Sequence, residues 1–322
     1  MLIVAIYVDN FLILHNNNSI ISQFKKYLCS KFKIKDIGPV NSFLGIRVSR
    51  DRKMNKLWID QEKYANEVLE KYRMENCKPI STPLDANHNL SKDMSPQTEE
   101  EKQFMQNIPY REAIGSLLFL SQISRPDIYY AVNVLSQFNS NSGIKHWQAV
   151  KRVMRYIKGT LSSKIEYSKS NEGIFGYCDA DWAGDKETRR STSGYVFMMS
   201  NGPISWKSQK QSTVALSSCE AEYISLCTAT QEANWWLQFS RELCPQENVK
   251  ILCDNQSAIA IGMDKGYSSK SKHIDIKYYF VRQMIEENKI DVEYVPSEDQ
   301  GADGLTKPLN KVKLQKMKNL SI

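Results

Sequence analysis

A chain of 322 residues, 41% hydrophobic and 25% charged, has the balance of an ordinary globular protein of two or three domains. Its net charge of +7 and pI near 8.9 permit a polyanionic partner without demanding one. Seven cysteines, odd in number and without a Cys-x-x-Cys pair, exclude a disulfide frame and a zinc knuckle, and read as reduced core residues of an intracellular protein.

The apolar opening MLIVAIYVDNFLIL is broken by Asp9 and Asn10 and has neither a basic leader nor a small-residue cleavage site. It falls short of the roughly 20 residues that span a bilayer, so neither a signal peptide nor a membrane anchor is expected. Leu2 to Val8 and Phe11 to Leu14 are two β-prone runs joined at Asp9-Asn10, which predicts a hairpin. Alternation over Phe43 to Val48 predicts a strand, and Tyr64, Val68, Leu69 and Tyr72 share helical spacing within Lys63 to Met74. From Ser81 to Asn107 the chain turns polar through Thr82-Pro83, Ser95-Pro96 and Glu99 to Glu101, so a solvated connection with a soft domain boundary is expected there.

Helical patterns follow at Tyr110 to Gln122, Pro126 to Phe138 and Lys145 to Lys158. In the last of these Trp147, Val150, Met154 and Ile157 fall on one face, with Lys151, Arg155 and Lys158 on another. Such a basic stripe suits the solvated side of a surface helix and equally a track that neutralises successive phosphates.

Beyond Ser170, strands are expected at Gly173 to Asp179, Ser193 to Met199 and Ile204 to Lys207, the last two joined through the turn pair Asn201-Gly202. A helix from about Ser217 to Glu242 puts Glu222, Leu226, Ala229, Ala233 and Trp236 on one stripe, while Glu220 points nearly the opposite way. The strand Val249 to Cys253 leads through Asp254 into a helix over Asn255 to Gly262. A helix over Ile274 to Asn288, a strand over Ile290 to Val295 and a short helix with Asp303 complete an α/β layer.

With 36 acidic residues in the chain, placement has to single out the useful ones. Asp179 and Asp254 each close an apolar strand, where a carboxylate is disfavoured unless it has a partner or a task. Glu222 continues a buried stripe and needs something positive opposite it. Local roles compete, since Glu222 also suits a helix N-terminus and Asp254 also suits an N-cap. Gathered with Asp303, these residues would hold two divalent metal ions and cut a phosphodiester.

The strings YCDADWAGDKETRRSTSGYVF, ISWKSQKQSTVALSSCEAEYISL, CDNQSAI, SKHIDIKYYFVR and ADGLTKPL, in that order, resemble the ribonuclease H domain of copia-type LTR retrotransposon Pol polyproteins. Upstream, YREAIGSLLFLSQISRPDIYYAVNVLSQF and KRVMRYIKGT resemble the thumb and connection of the same polyproteins. FKIKDIGPVNSFLGIRVSR and QEKYANEVLEKYRMENCKPISTPLD resemble the end of a reverse-transcriptase palm with its primer grip, and Tyr7-Val8-Asp9-Asn10 resembles the YVDD hairpin.

The resemblance implies an α/β fold, a ribonuclease H-like mixed sheet flanked by helices, behind an N-terminal α+β palm and thumb remnant. Its implied domains are a truncated palm with primer-grip strands (1–80), a helical thumb and connection (81–168) and a ribonuclease H-like domain (169–322). The family's D-E-D-D set falls on Asp179, Glu222, Asp254 and Asp303, which would bind two Mg²⁺ ions, or Mn²⁺ in their place, with Asp179 on both, Glu222 and Asp254 on one and Asp303 on the other. The implied reaction is in-line hydrolysis of the RNA strand of an RNA–DNA hybrid in the cytoplasm or nucleus, with no membrane and no small-molecule cofactor. Candidate nucleic-acid contacts are Gln256, Lys270, Lys272, His273 and Lys277, with Lys151, Arg155 and Lys158. The loop Val295 to Asp299 lacks the histidine that many cellular ribonucleases H carry near the last Asp.

Asn10 offers a metal a carbonyl oxygen but no charge, and the family's other palm Asp would precede Met1. Polymerase activity is therefore expected to be lost, with Asp9 as its remnant. A catalytically inactive nucleic-acid-binding transposon remnant is the alternative reading, and an integrase-like nuclease is a third.

Overall fold

A computed structural model describes residues 2–88, 90–241, 243–263 and 272–321, with side chains from 276 to 319 in the last stretch. Strands β1 (Leu2–Tyr7) and β2 (Asn10–His15) form the expected antiparallel hairpin. Tyr7 pairs with Asn10, so the two-residue turn is Val8-Asp9 and lies one position earlier than predicted, with Val8 at φ 52°. Helix α1 (Asn18–Lys31), whose first turn is capped by the Asn17 carboxamide, buries no side chain. The run read as one strand splits into β3 (Ser42–Phe43) and β4 (Ile46–Asp51), because Leu44 and Gly45 take φ of 52° and 79° and close a tight turn. Next come β5 (Lys56–Asp60) and α2 (Glu62–Lys71).

Within the stretch expected as a solvated connection, Thr98 and Glu101 form a capping box that starts helix α3 (Glu99–Gln106). Helices α4 (Tyr110–Ile123), α5 (Tyr129–Ser136) and α6 (Ile144–Lys158) follow near their predicted places. Strand β6 (Ile165–Ser168) then returns to pair with β5 and completes a sheet of order β3-β4-β5-β6. Strands from both sides of the helical segment thus share one sheet.

The C-terminal sheet begins with a meander of β7 (Phe175–Ala180), β8 (Thr192–Met199) and β9 (Gly202–Lys210). Its second turn, Ser200-Asn201, again falls one residue before the predicted pair, since Met199 pairs with Gly202. After α7 (Ser218–Ser240) come β10 (Val249–Cys253), α8 (Gln256–Met263), α9 (Lys272–Glu286), β11 (Ile290–Tyr294), α10 (Asp303–Thr306) and α11 (Lys311–Ser321). The order β11-β10-β7-β8-β9 combines parallel β11, β10 and β7 with the antiparallel meander.

Period-two alternation divides β8 between two cores. Tyr195 and Phe197 face α7 to α9 with Tyr223, Leu226, Ile251 and Val281, whereas Val196 and Met198 face Leu117, Val132 and Met154 of α4 to α6 together with Leu305 and Met317. The sheet is therefore mixed and covered by helices on both faces, as expected.

Candidate metal centre

Two docking devices bring distant elements to the end of β7. On one face the Ser225 hydroxyl of α7 donates to the Asp179 carbonyl oxygen at 2.6 Å. On the other, Gly194, the register partner of Asp179, lets α10 lie against the sheet, where a Cβ would sit 2.8 Å from Leu305 Cβ and from Thr306 Cγ2. Gln300, three residues before α10, anchors its approach by donating to the Cys178 carbonyl at 2.9 Å. Parallel pairing of Cys178 with Cys253 sets the ends of β7 and β10 side by side.

These devices place the four predicted acids together. Asp179 is 2% exposed, Glu222 and Asp303 are 7% exposed, and Asp254 is half-buried. The Thr306 hydroxyl donates to Asp179 Oδ2. Lys307 Nζ lies 2.6 Å from Asp303 Oδ1 and 3.9 Å from Asp179 Oδ2, and Lys313 Nζ lies 3.5 Å from Asp303 Oδ2. Ligand atoms of Glu222, Cys253 and Asp254 lie within 4.8 Å of one another. Asp254 accepts from Ser297 Oγ at 2.7 Å, and the capping role open to it falls instead to Asn255, whose Oδ1 accepts from the Ala258 amide. Glu222 accepts from the Ala180 amide, but its Oε2 is buried with no hydrogen-bond partner.

The electrostatics follow from this geometry. Burial pushes Glu222 up to about 10, with Asp179, Cys253 and Asp254 acting in the same direction. Burial also raises Asp179 to about 6, against Lys307 and Thr306, which pull it down, and with Asp303 and Asp254, which raise it further. Burial opposes the Lys307 charge, yet Asp179, Asp303 and Asp254 together hold its pKa above the ordinary lysine value. The cluster thus has an Asp179/Asp303 side met by lysines and a Glu222/Asp254 side where a buried carboxylate oxygen faces no donor. Hard oxygen donors around such an orphan fit a divalent cation.

The basic candidates are not gathered in the same way. Lys151 lies over the Trp147 ring at 5.6 Å, and Arg155 donates to the Lys78 carbonyl at 2.8 Å. Both, with half-buried Lys158, ride on α6, which packs against α2, α4 and α5. Gln256 is exposed at the start of α8, and Lys277 is half-buried on α9 near Cys227. Lys270 and the side chains of Lys272 and His273 lie outside the described residues. Asp9 is exposed on the hairpin turn. Sequence reasoning missed Thr306, Lys307, Ser297 and Cys253; the spacing of Thr306 and Lys307, three and four residues beyond Asp303 on a helix, was the available signal for two of them.

Residues 1–86 match the family described as reverse transcriptase (RNA-dependent DNA polymerase). Over 318 residues, 98% of this chain and 24% of the relative, the sequence is 42% identical to the retrovirus-related Pol polyprotein from transposon TNT 1-94 of Nicotiana tabacum. It is 36% identical over 313 residues, 96% of this chain and 21% of the relative, to the Pol polyprotein from transposon RE1 of Arabidopsis thaliana. The chain spans about a quarter of the length of these relatives. Among solved structures, LC11-RNase H1 in complex with an RNA/DNA hybrid is similar, with a TM-score of 0.32 and 19% identity, covering 42% of this chain and 94% of that one. Among the described residues no helix is long and apolar enough to cross a membrane.

Proposed function

Because the chain belongs to the family of copia-type transposon Pol polyproteins, we propose that residues 169–322 form a ribonuclease H domain that hydrolyses the RNA strand of an RNA–DNA hybrid. The observation that carries this reading is the convergence of Asp179, Glu222, Asp254 and Asp303 from four separate elements, with one buried oxygen of Glu222 left without a partner. Mg²⁺ ions held there, or Mn²⁺, would supply an activated water and stabilise the leaving 3′ oxygen.

The chain's own groups divide the work. Asp179, Glu222, Asp254 and Asp303 would hold the ions, with Asp179 close enough to both Asp254 and Asp303 for their charges to raise its pKa. Thr306 orients the Asp179 carboxylate, and Ser297 orients that of Asp254. Lys307 offsets the carboxylate charge of Asp179 and Asp303. Hybrid selection comes from 2′-hydroxyl contacts across the minor groove, with Gln256, Lys270, Lys272, His273 and Lys277 as candidate substrate contacts and Lys151, Arg155 and Lys158 as candidates to track backbone phosphates.

Residues 1–80 serve in this reading as a reverse-transcriptase palm segment and 81–168 as thumb and connection. Asn10 supplies no negative charge beside Asp9, so the hairpin does not support polymerase chemistry. The same Asn10 favours a second reading, a remnant that grips nucleic acid without cutting it. Incubating the purified chain with a labelled RNA–DNA hybrid and Mg²⁺, beside Asp179→Asn, separates the two. Mg²⁺-dependent cutting that the variant lacks supports the ribonuclease, and hybrid retention without cutting supports the remnant.

A further inference from the structure

The last residue of β10 adds a donor that a magnesium site does not call for. Cys253 is fully buried, and its Sγ lies within 4.8 Å of carboxylate oxygens of both Glu222 and Asp254. Glu222, 93% buried, brings a carboxylate oxygen to this group, and its Oε2 has no hydrogen-bond partner. Asp254, only half-buried, gives the triad an opening to solvent. Magnesium takes oxygen ligands, and sulfur adds nothing to its binding. Zinc and cobalt accept one thiolate and two carboxylates readily, with water in the fourth position.

We infer that Glu222, Cys253 and Asp254 form a site for a thiophilic divalent cation such as Zn²⁺, set inside the carboxylate cluster and exclusive with magnesium there. Binding replaces the thiol proton of Cys253 and the carboxyl proton of Glu222, both of which leave to solvent, by bonds to the metal, with no change of oxidation state. The site then responds to two kinds of cation in different ways. Magnesium engages oxygens alone, whereas zinc engages the sulfur as well, ties Glu222 and Asp254 into a closed set and blocks hybrid hydrolysis. The inference rests on the divalent-metal reading of the cluster but not on turnover.

The test is titration of the full chain with Co²⁺, read by near-ultraviolet sulfur-to-cobalt charge-transfer absorption. Wild type is expected to develop the band, and Cys253→Ser and Cys253→Ala to lose it. Cys219→Ser, which removes the thiol at the start of α7, retains it. Zn²⁺ abolishes the band in wild type by displacing cobalt, and Mn²⁺ binding changes less than about threefold in Cys253→Ser. Cobalt bound without the band, or a band that persists in both Cys253 variants while their melting curves remain cooperative, overturns the inference. Absence of hybrid cutting with the band present removes the proposed hydrolysis and leaves the soft-metal site standing. Cutting without the band does the reverse.

Discussion

Asp9 and Asp179 both follow an apolar β-run, yet they end in opposite surroundings. The hairpin of β1 and β2 is a two-stranded sheet touched by α1 along β2, and at its turn Tyr7 and Val8 are 57% and 78% exposed and Asp9 stands in water. Strand β7 is the middle strand of five, covered by α7 on one face and by α10 on the other, and Asp179 is 2% exposed. A hydrated carboxylate asks nothing of its neighbours. A buried one forces the fold to provide counter-charge, protonation or a metal, so the difference lies in tertiary cover and not in the local string.

The largest effect that would break the comparison is on cleavage. Asp254→Asn is expected to lower Mg²⁺-dependent hybrid cutting by about 100-fold or more, whereas Asp9→Asn stays within about twofold of wild type. Initial rates on a labelled hybrid measure both. Equal losses would place the hairpin in the same machinery as the C-terminal sheet.

Next in size is the stability of the buried acid. Glu222→Gln replaces a buried carboxyl that the fold keeps protonated, and whose Oε2 has no donor, by an amide that does not ionise, and is expected to stabilise the metal-chelated protein by about 1–3 kcal/mol. The pH dependence has a definite sign. Glu222 is pushed up from 4.5 to about 10 in the folded protein, so the folded state binds more protons than the unfolded one across that interval. Its contribution is full below the unfolded value and is lost as pH rises toward the folded one, so the advantage of Gln grows from pH 5 to pH 9. Thermal melts in chelator at several pH values follow this, and a gain that shrinks with pH contradicts it.

A third test removes cover without touching charge. Gly194→Ala places a methyl against Leu305 and Thr306, with an expected destabilisation of about 1–3 kcal/mol. Displacing α10 also moves Asp303 and Thr306 away from Asp179, so cutting falls along with the melting temperature.

The sequence carried the periodic features well and the pairwise ones poorly. Alternation located β7, β8 and β10, and the helical stripe of Glu222, Leu226, Ala229 and Ala233 is buried as its spacing required. Strand-end aspartates on neighbouring strands followed from the same patterns. Both hairpin turns fell one residue early because turn position is set by the register of paired strands, which left-handed Ser200 and Asn201 accommodate. Leu44 and Gly45 broke a run whose alternation looked continuous. Helix α3 was hidden by its acidic, polar composition although Thr98 and Glu101 carried the capping-box spacing. Cys253 had no local mark of a site, since its carboxylate neighbour Glu222 arrives from α7, 31 positions earlier in the chain. Lys307 lacked one only in part, being a helical turn beyond Asp303.

The smallest effect lies in the helical segment and runs opposite to that of Glu222. His146 is fully buried, accepts the Gly143 amide at its Nδ1 (2.9 Å), faces the Ser91 carbonyl with Nε2 (3.0 Å) and stacks on Phe138 with centroids 3.9 Å apart. Burial lowers its pKa from 6.5, against the Ser91 carbonyl and the charge of Glu187, which raise it. Here the folded state binds fewer protons than the unfolded one, so stability is complete above the ordinary histidine value and is lost as pH falls below it. Protonation also takes away the lone pair that receives the Gly143 amide at the start of α6. Between pH 7 and pH 5 the wild type should lose no more than about 1 kcal/mol through this group, and His146→Gln should flatten that part of the profile while leaving in place the fall in stability with rising pH assigned to Glu222. Melting curves of the two single variants and the double variant would show two slopes of opposite sign that add, because the residues belong to separate cores; a double variant that departs from additivity would mean that His146 and the carboxylate cluster are energetically coupled.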